Sequence, residues 1–251
     1  MIEKRLVAVC DILGFEKLIE KDLRKLIDGE LSLFQRLVGF SVNHGAVPEL
    51  PPKLKEIRDQ GRVGFTWFSD TLLIYAKDDE DLSCRNVLET VGWLLFTTMP
   101  TRTRLRCGVA YGEFFAEPEN QLFVGPAIVE AYNLEQAQQW AGAALTDSAA
   151  KRLPEREMTG ERFQWWVCKY PAPLKKQKKD VHCSELVVDW TQGIHKSFNL
   201  RWSHSHEEPT EAEKCEDESI YQKWINTRIF HEEVCIACNS INKIRDPLKV
   251  L

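Results

Sequence analysis

Five consecutive apolar residues, 6–10, lead directly into a carboxylate at Asp11 and then into a glycine turn at Gly14. The run predicts a buried strand, and the helical spacing of the apolar residues after Gly14 predicts a helix. A strand that ends on an Asp and leads into a helix N-terminus places a cation ligand beside backbone N–H groups that favour phosphate. Asp is also a common turn or cap residue at such a place, so a purely structural role for Asp11 stays open at this point.

A second carboxylate lies at the predicted tip of a hairpin. Residues 62–76 contain two β-rich runs joined at Ser69-Asp70-Thr71, which predicts two antiparallel strands with Asp70 in the turn. An Asp in a turn is ordinary by itself. A strand-end carboxylate and a hairpin-tip carboxylate can nevertheless converge on two divalent cations, so Asp11 and Asp70 form the candidate site.

The remaining apolar patterns alternate between helices and strands. Helical spacing is found in residues 14–40, as one helix or as two broken near Gly29, and in residues 82–99, 125–139 and 146–153. Strand patterns are found in residues 105–113, 121–124 and 143–145. This order predicts an α+β fold in which helices cover one mainly antiparallel sheet, close to the ferredoxin-like arrangement. Asp11 and Asp70 are then expected at the same edge of the sheet.

Composition and charge limit the classes of partner. The 251 residues carry a formal net charge of −5, so bulk electrostatics do not suggest nucleic acid. The longest apolar runs are far shorter than the roughly 20 residues that span a bilayer, which predicts no membrane segment. No secretory signal is visible, and eight cysteines in such a chain predict reduced thiols in a cytoplasmic protein.

Four short motifs occur in a fixed order between residues 4 and 153. They are Asp11-Ile12-Leu13-Gly14-Phe15, then Phe68-Ser69-Asp70, then Arg106-Cys107-Gly108-Val109-Ala110-Tyr111-Gly112-Glu113, and finally residues 125–131. In order and spacing these motifs resemble those of the class III nucleotide cyclases. The resemblance implies a class III cyclase-like fold over residues 1–155.

The same resemblance implies a metal site. In the family, the two motif carboxylates are catalytic and hold two ions of Mg²⁺ or Mn²⁺, which corresponds here to Asp11 and Asp70. One ion helps to activate the ribose 3′-hydroxyl, and the other neutralises the triphosphate. The backbone after the first Asp adds a carbonyl ligand, which corresponds to Ile12.

The resemblance further implies nucleotide-binding residues and a homodimer. The backbone N–H groups of Leu13, Gly14 and Phe15 would bind phosphate, and Arg106 would contact the triphosphate. In-line attack on the α-phosphorus depends mainly on charge neutralisation and positioning, which suits these groups. Sites of this family form between two protomers, so a homodimer with two shared sites is implied.

The chain departs from the family in the helix after the third motif. Where the family usually has an Asn and, four residues later, an Arg that stabilises the transition state, this chain has Val129 and Asn133. Transition-state stabilisation is therefore not accounted for, and Asn133 is the candidate residue at that place.

The two positions that select the purine also differ, and here they hold Thr66 and Leu122. The absent Lys and Asp argue against adenine, and Leu122 offers no hydrogen bond to guanine. The large aromatic side chains at Phe65, Trp67 and Phe68 could narrow the pocket, although packing in a strand is the alternative role for them. The predicted base pocket is not a purine pocket.

The helix of residues 127–135 resembles the corresponding helix of the pyrimidine cyclases in bacterial Pycsar antiphage systems, which agrees with a base pocket that is not a purine pocket. The narrower resemblance implies that UTP, in preference to CTP, is converted to the 3′,5′-cyclic monophosphate and diphosphate. It also implies that this product acts on a separate effector.

Residues 156–251 lie outside the match and predict a C-terminal extension that packs on the catalytic domain. Its predicted elements are strands at residues 163–168 and 186–190, a basic loop at 175–179, an acidic linker at 207–218 and a helix at about 220–240. His231, Cys235 and Cys238 have a helical spacing that could hold zinc, but without a second Cys-x-x-Cys pair we favour reduced thiols on a packed helix. A dimer-stabilising or regulatory role is expected.

Two other functions fit parts of this sequence. Val129 and Asn133 suggest a catalytically silent cyclase-like domain that binds a nucleotide or a partner. The presence of both Asp11 and Asp70 favours the enzyme, because a binding module does not need two metal carboxylates. A polymerase-palm-like diguanylate cyclase is disfavoured, because residues 68–72 do not form a Gly-Gly-Asp/Glu-Glu-Phe hairpin.

Overall fold

The computed structural model describes residues 2–25, 27–28, 62–99, 103–154, 166–176, 181–192 and 218–245. In order along the chain, the elements are β1 (Glu3–Ile12), α1 (Phe15–Lys25), β2 (Val63–Phe68), β3 (Thr71–Ala76), α2 (Asp81–Thr98), β4 (Leu105–Glu117), β5 (Leu122–Val124), α3 (Pro126–Ala137), β6 (Gly142–Leu145), α4 (Asp147–Arg152), β7 (Val167–Lys169), β8 (Leu186–Val188) and α5 (Glu218–Arg245).

One sheet organises these elements, with the strand order β2-β3-β1-β4-β6-β8-β7 and β5 paired to β4. β1 pairs antiparallel with both β3 and β4, whereas β4 and β6 pair in parallel. The parallel pair arises because α3 carries the chain back along the sheet between β5 and β6. The predicted α+β fold, with helices on a mainly antiparallel sheet, is confirmed.

Both faces of β1 are covered, which explains its continuous apolar run. Alternate side chains point to opposite faces of a strand. Leu6, Ala8 and Cys10 belong to the core that α2 also enters, whereas Val7 and Val9 pack with Ala residues of α3. The apolar side chains at helical spacing along α2 are all fully buried, namely Val87, Leu88, Val91, Leu94 and Leu95.

Helix α3 lies unusually close to β4 at Gly108. A Cβ atom at this position would lie 2.0 Å from the carbonyl oxygen of Ala131 and 2.7 Å from the backbone nitrogen of Glu135. Only glycine permits this approach. The contact fixes the last turns of α3 against the part of β4 that pairs with the end of β1.

Strands β7 and β8 continue the same sheet, because β8 pairs with β6 and β7 pairs with β8. Helix α5 confirms the helix expected at about 220–240 and extends it at both ends. Of the acidic linker expected at 207–218, only Glu218 is among the described residues. The part of the predicted strand before Trp166 and residues 177–179 of the basic loop also lie outside the described residues. The first predicted helix is described as α1 as far as Lys25, and residues 29–40 of it lie outside. Among the described helices, none has both the length and the hydrophobicity of a membrane span.

Candidate active site

The two candidate carboxylates lie at the same end of the sheet. Asp11 is opposite Thr71 in the antiparallel pairing of β1 with β3, so it is next to the turn that carries Asp70. The backbone N–H of Ile12 donates a hydrogen bond to the carbonyl oxygen of Asp70 over 3.0 Å. This bond ties the end of β1 directly to the hairpin tip.

Local sequence determines the backbone on both sides of this contact. Gly14 has φ +73°, a left-handed conformation that suits glycine, and it opens the first turn of α1. In the β2–β3 turn, Ser69 has φ 56°, and its carbonyl accepts a hydrogen bond of 2.7 Å from the indole N–H of Trp67. The Trp67 side chain thereby supports the turn that presents Asp70.

Of the three backbone N–H groups predicted to bind phosphate, that of Leu13 already donates a hydrogen bond within the protein. The N–H of Leu13 donates to the carbonyl oxygen of Arg104 over 2.9 Å. Gly14 and Phe15 stand at the start of α1, where the first N–H groups of a helix have no intrahelical acceptor. They are therefore the better-placed donors for phosphate at this end of the sheet.

Arg106 lies in a buried ion-pair network that joins β4 to α3 and β1. Its Nε donates to Oε1 of Glu135 over 2.5 Å, its Nη1 to the carbonyl oxygen of Gln138 over 3.3 Å, and its Nη2 to Oδ2 of Asp11 over 3.4 Å. The guanidinium is thus bonded to protein acceptors in this structure, and the triphosphate contact expected for Arg106 stays a prediction. What the structure assigns to Arg106 is a contact that orients Asp11.

Sequence reasoning missed Glu135 and Gln138. A usable signal was present for Glu135, because it follows Ala127 and Ala131 at helical i, i+4 spacing, so it lies on the buried face of α3. A buried carboxylate needs a cationic partner. Gln138 is held from both sides, since its amide donates to the carbonyl of Cys107 over 2.8 Å and accepts 2.7 Å from the indole of Trp140.

Electrostatics set Asp11 apart from an ordinary carboxylate. Burial raises the pKa of Asp11 from its ordinary 3.8 to about 7, the negative charges of Glu135 and Asp70 act in the same direction, and Arg106 and Lys223 oppose the shift. Burial also raises the pKa of Glu135, with Arg106 opposing. Asp11 and Glu135 therefore share one guanidinium while Asp70 adds further negative charge, and an additional cation would relieve the excess negative charge.

The donor chemistry fits a hard divalent cation. The candidate ligands are carboxylate and carbonyl oxygens, which suit Mg²⁺ and Mn²⁺. Asp11 is already desolvated and crowded by like charge, so a divalent ion at this place compensates an existing electrostatic cost. No group of three or more His, Cys, Asp or Glu side chains suited to a metal occurs in the described ranges, so the carbonyl of Ile12 or substrate oxygens would complete the coordination.

The candidate base-facing residues, Thr66 and Leu122, and the transition-state candidate, Asn133, lie in different places. Thr66 is half-buried on β2, opposite Leu73 of β3. Leu122 is exposed on β5, where it pairs with Glu117 at the far end of β4. Asn133 is exposed on α3.

Leu122 cannot reach Asp11 within one chain. Asp11 pairs with Arg106 and Leu122 pairs with Glu117, which follows Arg106 by eleven positions on β4, roughly 35 Å of extended strand. Within a single protomer, Leu122 and Asp11 belong to opposite ends of the sheet.

The His/Cys group expected in the C-terminal helix is described only in part. The ring of His231 stacks on Trp190 at 5.6 Å, and burial lowers its pKa to about 4. The side chains of Cys235 and Cys238 lie outside the described part of the structure.

No protein-family model matches this sequence, and a search of curated proteins finds no match. Solved structures similar to this chain include an adenylate/guanylate cyclase/hydrolase from Silicibacter pomeroyi, at 14% identity and a TM-score of 0.47, over 74% of this chain and 96% of that one. The catalytic core of a rhodopsin-guanylyl cyclase with converted specificity in complex with ATPαS aligns at 15% identity and a TM-score of 0.47, over 75% and 97% of the two chains.

A bacterial light-regulated adenylyl cyclase aligns at 16% identity and a TM-score of 0.45, over 74% of this chain. The match spans about half of that protein, 51% of its length.

Proposed function

We propose that this protein is a metal-dependent pyrimidine nucleotide cyclase that converts UTP, or CTP, to the 3′,5′-cyclic monophosphate and diphosphate. The observation that carries the proposal is the meeting of Asp11 and Asp70 at one end of the sheet, tied by the 3.0 Å bond from Ile12 N–H to the Asp70 carbonyl. This contact brings together two of the four motifs that resemble those of the class III nucleotide cyclases.

In this proposal the residues of the chain bind and orient the metal ions and the triphosphate, and they balance the charge of the site. Asp11 and Asp70 would hold two divalent ions, with the Ile12 carbonyl as a further ligand. When bound, these ions neutralise the triphosphate and favour ionisation of the ribose 3′-hydroxyl. Gly14 and Phe15 would present backbone N–H groups to phosphate.

The reaction forms one bond and breaks one bond at phosphorus. The ribose 3′-oxygen attacks the α-phosphorus, the bond from this phosphorus to the oxygen bridging to the β-phosphate breaks, and diphosphate leaves with the electron pair. The 3′-hydroxyl proton passes to solvent or to the leaving group. Arg106 acts as a positioning residue in this scheme, because its bond to Asp11 fixes the carboxylate.

Base recognition in this proposal requires a second protomer. Since Leu122 lies at the other end of the sheet from Asp11, it could face a base only at the Asp11 site of a partner copy. Exposed apolar side chains occur on β5 and on α3, the helix that follows it, including Leu122, Val129 and Tyr132 at 44%, 59% and 50% exposure. Such side chains are typical of an association surface, which supports a homodimer.

A silent, nucleotide-binding domain is the second candidate. Asn133 is exposed where the family has its transition-state Arg, and it brings no charge. This observation favours binding without turnover, unless another cation serves the triphosphate.

The test is product analysis after incubation of the purified chain with UTP, CTP, ATP and GTP separately in Mn²⁺. We expect cyclic UMP in greatest amount, then cyclic CMP. A cyclic purine as the main product would contradict the assigned pocket, and triphosphate binding without any product would favour the silent domain.

By resemblance to the Pycsar systems, we propose that the product signals to a separate effector in antiphage defence. Phage challenge of cells that carry either the active chain or the Asp70→Asn chain would test this role.

A further inference from the structure

Glu135 is the most deeply buried of the three charged side chains in the Arg106 network. Its side chain is 1% exposed, whereas that of Asp11 is 20% exposed. Oε1 of Glu135 accepts from Nε of Arg106 over 2.5 Å, and Oε2 accepts from the side-chain amide of Gln136 over 2.7 Å. Since both oxygens are engaged and the side chain is buried, Glu135 itself is not placed to bind a metal ion or a substrate. Its route to the site is the guanidinium of Arg106.

Close packing of α3 on the sheet holds Glu135 in place. A Cβ at Gly108 would lie 2.7 Å from the backbone nitrogen of Glu135, so the helix lies directly against β4 at this residue. Arg106 precedes Gly108 by two positions on β4, which places both residues on the same face of the strand. The carboxylate of Glu135 and the guanidinium of Arg106 therefore meet in the tightly packed layer between α3 and the sheet.

Arg106 binds its two carboxylates unequally. The bond from Nε to Glu135 has the short length of a charge-assisted hydrogen bond, at 2.5 Å, whereas Nη2 lies 3.4 Å from Oδ2 of Asp11. The contact with Asp11 joins one nitrogen to one oxygen, and it is not the fork by which an arginine binds both oxygens of a carboxylate. Asp11 is thus oriented by Arg106 and still offers carboxylate oxygen to a metal ion.

Without Glu135, the guanidinium would turn to Asp11. Arg106 and Asp11 are direct partners in the pairing of β4 with β1, so their side chains lie on the same face of the sheet. The planar guanidinium binds a carboxylate best through two parallel N–H groups. Loss of the bond at Nε frees it to rotate into this geometry. Both oxygens of Asp11 would then be bound to a protein cation, which competes with a metal ion for the same lone pairs.

We propose that Glu135 is a positioning residue of the metal site, which anchors Arg106 so that the Asp11 carboxylate stays open to divalent cations. The inference rests on the proposed function and deepens it, because Asp11 is a ligand of the metal ions in that reaction. Glu135 thereby acts on metal binding without touching the metal ions or the substrate.

Two simpler roles for Glu135 predict different results. A residue that only packs α3 against β4 changes stability but leaves the metal affinity of a folded variant unchanged. A residue that acts only through its negative charge attracts a metal ion equally well as Asp, whose carboxylate is one methylene closer to the backbone. An anchor of Arg106 is lost in Glu135→Gln and weakened in Glu135→Asp, and removal of Arg106 then reopens Asp11.

The experiment measures the dissociation constant of Mn²⁺ for the full chain from the electron paramagnetic resonance signal of the free ion. Titrations are made with and without α,β-methylene-UTP, which cannot be cyclised. The variants are Glu135→Gln, Glu135→Asp, the double variant Glu135→Gln/Arg106→Met and, as a matched control, Glu130→Gln. Glu130 is half-buried on the same helix and accepts a hydrogen bond of 3.0 Å from Ser148. Thermal unfolding without metal establishes that each variant is folded.

We expect Glu135→Gln to bind Mn²⁺ about tenfold more weakly than wild type, which is the usual size of effect for a residue that positions a metal ligand. Glu135→Asp should bind at least about threefold more weakly, because its carboxylate is drawn back from Nε of Arg106. The double variant should return to within about threefold of wild type, since no arginine then competes for Asp11. The control should equal wild type.

Each result bears separately on the inference and on the proposed function. A folded Glu135→Gln chain with wild-type Mn²⁺ affinity overturns the inference, even when wild type makes cyclic UMP. Wild-type affinity in Glu135→Asp overturns it too, and this variant decides if Glu135→Gln does not fold. A loss in Glu135→Gln that Arg106→Met does not restore also overturns it.

The wild type separates the two proposals. A wild type that binds Mn²⁺ and shows the expected variant effects, but makes no cyclic nucleotide from UTP or CTP, keeps the inference and overturns the cyclase. A wild type that does not bind Mn²⁺, with or without the analogue, overturns both.

Discussion

Nε of Arg106 donates to Oε1 of Glu135 over 2.5 Å, while Nη2 of the same guanidinium lies 3.4 Å from Oδ2 of Asp11. One buried cation from β4 therefore serves a carboxylate of α3 and the candidate metal ligand of β1. The network connects the packing of α3 with the orientation of Asp11.

Removal of Arg106 should destabilise the protein as well as inactivate it. Arg106→Met leaves Glu135 and Asp11 without their cation in a buried place, and we expect a loss of about 3 kcal/mol in the free energy of unfolding. Urea denaturation measures this loss. Arg228→Met, which removes an exposed Arg paired with Glu232 on α5, should change stability by less than about 0.5 kcal/mol. Equal stability of the two variants would contradict the network.

The close approach of α3 to β4 gives a matched pair of glycine substitutions. A Cβ at Gly108 would overlap the backbone of Ala131 at 2.0 Å, whereas the nearest atom to a Cβ at Gly112 is Ala127 Cβ at 3.7 Å. We expect Gly108→Ala to cost about 2–4 kcal/mol and to displace Glu135, and Gly112→Ala to be nearly neutral. Urea denaturation of both variants provides the comparison, and a neutral Gly108→Ala would contradict this packing.

The pKa of Asp11 predicts how stability changes with pH in the absence of metal. The folded-state pKa of about 7 lies above the ordinary 3.8, so the folded chain holds a proton that the unfolded chain releases. The resulting stability is present below pH 3.8 and is lost as the pH rises through about 7. Thermal unfolding in EDTA should therefore show Asp11→Asn more stable than wild type at pH 8, by about 1–3 kcal/mol, and with a flatter profile between pH 5 and 8. A wild type that gains stability relative to Asp11→Asn over that interval would contradict the assignment.

The shared site predicts that association and activity are lost together. Val129→Glu places a charge on the exposed apolar face of α3 and should give a monomer with at least about tenfold lower turnover. Ile229→Glu makes the same change at another exposed apolar residue, on α5, and should alter neither. Sedimentation velocity and product formation measure both properties, and an active Val129→Glu monomer would contradict the shared site.

The parts of the site that depend on local pattern could be predicted from sequence. The apolar run before Asp11, the glycine turn at Gly14 and the β-rich runs around Asp70 each specify their own structure through neighbouring residues. The meeting of the two carboxylates then follows from antiparallel pairing.

The parts that depend on distant contacts could not be predicted. Arg106 and Glu135 are 29 residues apart, and burial decides that they pair with each other rather than with a ligand. The hydrogen bond from Ala141 to Thr227 spans 86 residues, and no periodicity in α5 indicates which part of the sheet it meets. The parallel pairing of β4 with β6 likewise follows from the route of the chain through α3 rather than from the residues of either strand.

The most direct measurement is cyclic nucleotide formation from UTP in Mn²⁺ by wild type, Asp11→Asn, Asp70→Asn and the control Asp147→Asn, which changes an exposed carboxylate in the first turn of α4. If Asp11 and Asp70 hold the metal ions together, either substitution should reduce turnover by at least about a thousandfold with the fold intact, and the control should equal wild type. An Asp11→Asn or Asp70→Asn chain that turns over at the wild-type rate in saturating Mn²⁺ would contradict the paired-carboxylate site.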